Sequence, residues 1–129
     1  MSGYFRIKFR HEVGFSKMDV LERIKQQVEG NPVVVYMKGT PQLPQCGFSS
    51  HTAQALQACE QEFAYVNVLA DPEIFENLPR YADWPTFPQV YINGELIGGC
   101  DITLELYQQG ELKKMMTSAN ENETEETSA

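Results

Sequence analysis

Apolar residues change period along the chain between residues 18 and 117, and the changes predict an alternation of helices and strands. Met18–Glu29 places Val20, Leu21, Ile24 and Val28 on one face at helical spacing. Gly30 ends that helix, Asn31-Pro32 turns the chain, and Val33–Met37 follows, apolar on both faces. A run without a polar face predicts a strand in the middle of its sheet. A loop with Pro41 and Pro44 leads to a helix from Cys46 to about Glu60, with Ala53, Leu56 and Ala58 among its apolar residues. Phe63–Leu69 reads as a second strand, and a helix between two strands predicts a parallel pair joined by a crossover. Asp71-Pro72 is an N-cap with proline in the first turn, opening a helix to about Tyr81. Val90–Ile92 and Glu95–Ile97 form a hairpin around Asn93-Gly94, a strong two-residue turn signal. Gly98-Gly99-Cys100-Asp101 leads to a helix from Ile102 to about Gln109, capped by Asp101 and ended by Gly110. Glu111–Met116 adds a short last helix. The order α, β, α, β, α, β, β, α, α predicts one α/β domain over 18–117, without internal repeats.

Both ends lie outside that pattern. Residues 1–17 carry Arg6, Lys8, Arg10 and Lys17 against Glu12, faintly like a targeting peptide, and equally an upstream-extended start. They form an N-terminal extension and are set aside from the fold. Residues 118–129 hold four glutamates and no cation, which predicts a disordered, solubilising acidic tail.

Composition removes several function classes. With net charge −8 and scattered cations, there is no basic face for nucleic acid. No apolar run approaches the ~20 residues of a membrane span, and no signal-peptide core is present. Three cysteines without framework spacing argue against a disulfide-stapled secreted domain and for a reducing, cytoplasmic setting.

The chemistry concentrates at Lys38-Gly39-Thr40-Pro41-Gln42-Leu43-Pro44-Gln45-Cys46-Gly47-Phe48-Ser49. A buried strand, a loop and a cysteine opening a helix place a thiol where free backbone N–H groups and the helix dipole favour a thiolate. Ser49 occupies the position of the second cysteine in a C-x-x-C pair. A hydroxyl cannot close a disulfide, so the second sulfur must come from a thiol ligand or a partner. Other features have plain structural readings: Lys38 as a solvated strand end, Trp84 and Phe87 as core aromatics, Asp101 as an N-cap. His51, one turn past Cys46, reads as a surface residue, and Cys59 as a buried core thiol.

Lys38, Cys46-Gly47-Phe48-Ser49, Trp84-Pro85-Thr86-Phe87-Pro88 and Gly98-Gly99-Cys100-Asp101, in this order and spacing, closely resemble the monothiol glutaredoxins of the CGFS type. The likeness covers about Met18 to Thr117. It implies a thioredoxin-like fold, a central four-stranded mixed sheet flanked by helices. It also implies that the chain binds glutathione and, as a homodimer, a 2Fe-2S cluster. Each subunit of the family gives one cysteine thiolate, here Cys46, and two glutathiones supply the other sulfurs. By the same resemblance Lys38 lowers the Cys46 pKa and meets a glutathione carboxylate or the cluster's charge. Phe87-Pro88 carries a cis bond that exposes the Phe87 backbone to the cysteinyl part of glutathione, with Thr86 and Pro88 beside it. The Cys100 N–H and the Asp101 carboxylate hold the γ-glutamyl end. Cys100 is also the internal disulfide partner within reach of Cys46, expected free in the working state. One departure stands out: where many relatives place an arginine on a glutathione carboxylate, this chain has Phe75, and Arg80 lies further along the same segment.

Two functions use these residues. The first is a cluster carrier in iron–sulfur assembly, storage and transfer, with a BolA-like protein and apo iron–sulfur recipients as partners. The second is a glutathione-dependent thiol–disulfide oxidoreductase acting on glutathionylated proteins by a monothiol route. The loop between Lys38 and Cys46, longer than in dithiol relatives, argues against fast turnover.

Overall fold

The computed structural model describes residues 19–128, with side chains described as far as Asn122. The expected extension over residues 1–17 lies outside the described residues. The elements are α1 (Val20–Glu29), β1 (Val33–Met37), α2 (Gly47–Ala58), β2 (Ala64–Asn67), α3 (Pro72–Ala82), β3 (Gln89–Ile92), β4 (Glu95–Gly98), α4 (Cys100–Gln108) and α5 (Glu111–Ser128).

The four strands form one mixed sheet in the order β2-β1-β3-β4. β1 pairs parallel with β2 and antiparallel with β3. It is central, as its two apolar faces require, and all five of its residues are buried. Alternation along β1 splits the core in two. Val33, Val35 and Met37 face Leu56, Phe63, Leu112 and Met116 on the side of α2 and α5. Val34 and Tyr36 face Ile24, Val28, Ile74 and Leu78 on the side of α1 and α3. The result is a three-layer helix–sheet–helix arrangement.

Local chemistry sets most boundaries. Asn93 and Gly94 both take positive φ, 55° and 82°, the pairing that matches hairpin twist. Asp71 caps α3 by accepting from the Ile74 N–H at 3.3 Å. Its carboxylate also receives both bonds from Arg23 Nη2, at 3.2 and 3.1 Å, tying α1 to α3. β2 is shorter than its apolar run predicts. The Asn67 side chain accepts from the Leu69 N–H and starts a 3-10 turn at Val68–Ala70.

Two expectations are corrected. The cap of α4 is Gly99, not Asp101, which lies exposed in the first turn and favours the helix through its charge alone. The last helix does not stop near Met116, nor does a disordered tail begin at 118. Leu112, Met116 and Ala119 repeat at helical spacing and are all buried, so α5 packs on the core through Ala119, and its backbone runs helical to Ser128. Asn120 Nδ2 donates to Gln61 Oε1 at 3.3 Å and to the Glu62 carbonyl at 3.2 Å. Ending the chain after Thr117 removes these bonds and the Ala119 contact. The expected cost is about 1–2 kcal/mol in urea unfolding; an unchanged midpoint would mean that the extended helix adds nothing.

Candidate functional site

The segment between β1 and α2 doubles back on itself. The Gln45 N–H donates to the Lys38 carbonyl at 2.9 Å, and Thr40 and Leu43 exchange backbone bonds at 3.2 and 3.0 Å. Gly39 sits at φ +96°, where a Cβ would meet the Leu43 oxygen at 2.6 Å and the Gln45 nitrogen at 2.7 Å. Two side chains pin the strand end from outside. The Gly39 N–H donates to Asn67 Oδ1 at 2.9 Å, and the Lys38 N–H donates to Ser49 Oγ at 3.0 Å.

That last bond gives Ser49 a role its sequence position does not disclose. Ser49 is fully buried, and its oxygen closes β1 onto the first turn of α2. Substituting for a second cysteine is thus half of what it does; it is also a structural acceptor.

Cys46 is the N-cap of α2, in extended conformation, and partly exposed. The backbone N–H of Ser49 lowers its thiol pKa most; desolvation comes next and pushes it up, and the Phe48 N–H, the Ser49 hydroxyl and the Lys38 charge, in that order, lower it further, so that the net direction is down. The first-turn amides and the Ser49 hydroxyl offer hydrogen bonds to the sulfur at the positive end of the helix, and Lys38 adds its charge. The sign is toward thiolate. Alkylation of Cys46 by iodoacetamide is expected to show a pH midpoint below the ordinary ~8.5. Lys38→Met should raise that midpoint only part of the way back, because Lys38 is the smallest contributor. A wild-type midpoint at or above ~8.5 would overturn the assignment.

The remaining predicted residues extend from Cys46 as a chain of contacts. Lys38 Nζ lies 5.8 Å from the Phe75 ring centroid, and Phe75 meets Phe87 edge-on at 5.3 Å. The Phe87-Pro88 peptide bond is cis, as expected. Beyond it, the Pro88 carbonyl and the Trp84 indole lie against Gly99, where a Cβ would come within 3.2 Å of the Pro88 oxygen. Gly99 leads directly to buried Cys100 and exposed Asp101. Thr86 is exposed at the tip of the same segment. Contacts thus join Lys38 to Phe75 and Phe87, and Pro88 to Gly99, next to Cys100.

Phe75 holds the place on α3 that Arg80 does not reach. Five residues further on is about 140° around a helix of 3.6 residues per turn. Arg80 instead donates to Asn77 Oδ1 at 2.8 Å on the exposed face. His51 is exposed and Cys59 is buried, and burial pushes the Cys59 thiol up. Beside Cys46 the surface is open and apolar. Leu43 is 66% and Phe48 61% exposed, and a Cβ on Gly47 would have nothing within 4 Å.

No group of three or more His, Cys, Asp or Glu side chains able to hold a metal ion occurs among the described residues. Cys59 and Cys100 being buried, Cys46 is the one accessible thiol among the described residues. Sequence reasoning missed Asn67 and Gln89 as site-shaping residues. Each had a signal: Asn67 is polar where a strand gives way to a turn, and Gln89 is polar at the entry of an apolar strand.

Among the described residues no helix is long and apolar enough to cross a membrane. The family model described as Glutaredoxin matches residues 33–97. Over 96 residues the chain is 54% identical to Glutaredoxin 4 of Escherichia coli strain K12, covering 74% of this chain and 84% of that one. The solution structure of reduced poplar apo GrxS14 superposes with a TM-score of 0.64 at 44% identity, covering 75% of this chain and 89% of that one. A buckwheat glutaredoxin–glutathione complex superposes with a TM-score of 0.68 at 27% identity, covering 78% and 89%. With its sheet order, its helix-opening cysteine and these likenesses, the chain belongs to the glutaredoxin family.

Proposed function

We propose that this glutaredoxin binds glutathione beside Cys46 and carries a 2Fe-2S cluster between two copies of the chain. The observation that carries the reading is the single accessible thiol, held toward thiolate, next to a serine already committed to the fold. Clusters of this type take four thiolates. Two copies about a two-fold axis supply two Cys46 sulfurs, leaving two for glutathione. The solved buckwheat relative with glutathione supports that ligand.

In this reading Cys46 gives its thiolate and Lys38 offers positive charge to a ligand carboxylate or the cargo. The Phe87 backbone pairs with the cysteinyl part of glutathione. The Cys100 N–H and Asp101 hold the γ-glutamyl end, between Thr86 and Pro88 on one side and α4 on the other. A BolA-like protein replacing one copy, apo iron–sulfur proteins as recipients, and a bacterial cytoplasm as the setting complete the proposal.

Oxidoreductase activity is the second reading, favoured by the lowered Cys46 pKa. The Cys46 thiolate would attack the glutathionyl sulfur of a mixed disulfide, and the protein thiolate would leave. A second glutathione thiolate would then attack that new disulfide, releasing Cys46 and oxidised glutathione.

Anaerobic reconstitution with iron, sulfide and glutathione separates the two. The carrier reading expects a coloured dimer with one cluster and two glutathiones in native mass spectrometry, bleaching to monomer when glutathione is removed. A coloured monomer, or a holo dimer without glutathione, rejects shared ligation.

A further inference from the structure

Gln89 opens β3, a strand in which every residue is buried, and is itself fully buried. A polar amide at such a position needs partners for both ends. Its Nε2 donates to the Trp84 carbonyl at 3.0 Å and to the Thr86 carbonyl at 3.2 Å. Its Oε1 accepts from the Tyr91 hydroxyl at 2.8 Å. Burial, and then Tyr81, keep the Tyr91 hydroxyl well above its ordinary pKa, so it remains a donor. Tyr91 is in turn fixed by Tyr36, edge-on at 5.7 Å, and by Tyr81 at 6.2 Å.

Both carbonyls that Gln89 holds belong to the segment that precedes β3 and presents Phe87. The ladder between β1 and β3 begins only at the pair Tyr36–Gln89, so sheet pairing does not reach this segment. Its carbonyls are held from the core by the Gln89 side chain, beside the Phe75–Phe87 contact and the Trp84 indole against Gly99. We infer that Gln89 is the positioning residue of the site: through the Trp84 and Thr86 carbonyls it fixes the direction of the Phe87 backbone, and so the alignment of a cysteinyl thiol ligand against Cys46. The ligand half of this inference rests on the glutathione reading above.

Three variants of the full chain test it. Gln89→Leu keeps the volume and removes all three hydrogen bonds. Gln89→Met fills the space more flexibly and repeats the change should the leucine variant fold poorly. Tyr91→Phe loosens the same core by one hydroxyl but leaves the bonds from Gln89 to the segment in place. Backbone relaxation of the Thr86 and Phe87 amides by NMR, glutathione binding by calorimetry and the pH profile of Cys46 alkylation are read for each.

Gln89→Leu is expected to raise the mobility of both amides clearly above wild type and to weaken glutathione binding by about tenfold or more. Its alkylation midpoint should stay at the wild-type value. Tyr91→Phe should lose thermal stability yet keep wild-type amide mobility and stay within about twofold in affinity. Equal effects from both substitutions, or wild-type amide mobility in the Gln89 variants, would overturn the inference. Wild type that binds no glutathione, with mobility still released by Gln89→Leu, would reject the ligand reading and uphold the clamp.

Discussion

Cys46→Ser is expected to remove cluster binding completely while leaving the fold in place. The thiol sits at the mouth of α2, partly exposed, and belongs to neither core cluster. Serine is also a preferred N-cap, so the helix keeps or improves its start. The visible absorbance of the reconstituted protein should disappear, and the melting midpoint should stay within about 2 °C, a few tenths of a kcal/mol for a domain of this size. Cys59→Ser gives the opposite pattern. That thiol is 1% exposed among apolar neighbours, and a hydroxyl there costs about 1–3 kcal/mol while the cluster is kept. Iron-linked absorbance surviving in Cys46→Ser would remove Cys46 from the ligand set.

The largest loss of stability from one added methyl group is expected at Gly39. Its φ of +96° disfavours any L side chain, and the Cβ would strike two backbone atoms, the Leu43 oxygen and the Gln45 nitrogen. Neither can swing aside as a side chain could. Strain and overpacking together should cost about 2–4 kcal/mol in Gly39→Ala. That reads as a fall of roughly 8–20 °C in the melting midpoint. Gly94→Ala is the control: φ is +82° but the space is open, so only the backbone penalty of about 1 kcal/mol applies. Equal losses at the two positions would show that the reverse turn after β1 is not closely packed. Because Gly39 follows Lys38 directly, the same substitution should also shift the alkylation profile of Cys46.

The sequence made the frame readable because burial and periodicity agree over most of the domain. Val33–Met37 shows its central place by having no polar face, and Asn93-Gly94 shows the hairpin by its need for positive φ. The end of β2 and the start of α4 were less legible, since a side-chain bond from Asn67 and a glycine cap decide them. The acidic residues after Ser118 suggested disorder by composition. The spacing of Leu112, Met116 and Ala119 carries the helix on, because burial on one face outweighs repulsion on the other. In the site, contacts join Lys38 to Phe75 and Phe87, and Pro88 to Gly99. What the sequence could not supply was the support beneath it: Ser49 as the acceptor for Lys38, and Gln89 as the holder of the Trp84 and Thr86 carbonyls.

Gly47, beside the thiol, occupies the first helical position of α2 with empty space where its side chain would be. Alanine there meets no atom within 4 Å and favours the helix by up to about 1 kcal/mol. The free chain would therefore be firmer with a methyl group at 47 and yet carries none. Folding does not explain that residue; under the proposed function, close approach of glutathione or a second copy does. A position where the lone molecule gains and any closely seated visitor loses separates two selective pressures within one residue, and Gly47→Ala would show directly how near to the helix the natural occupant comes.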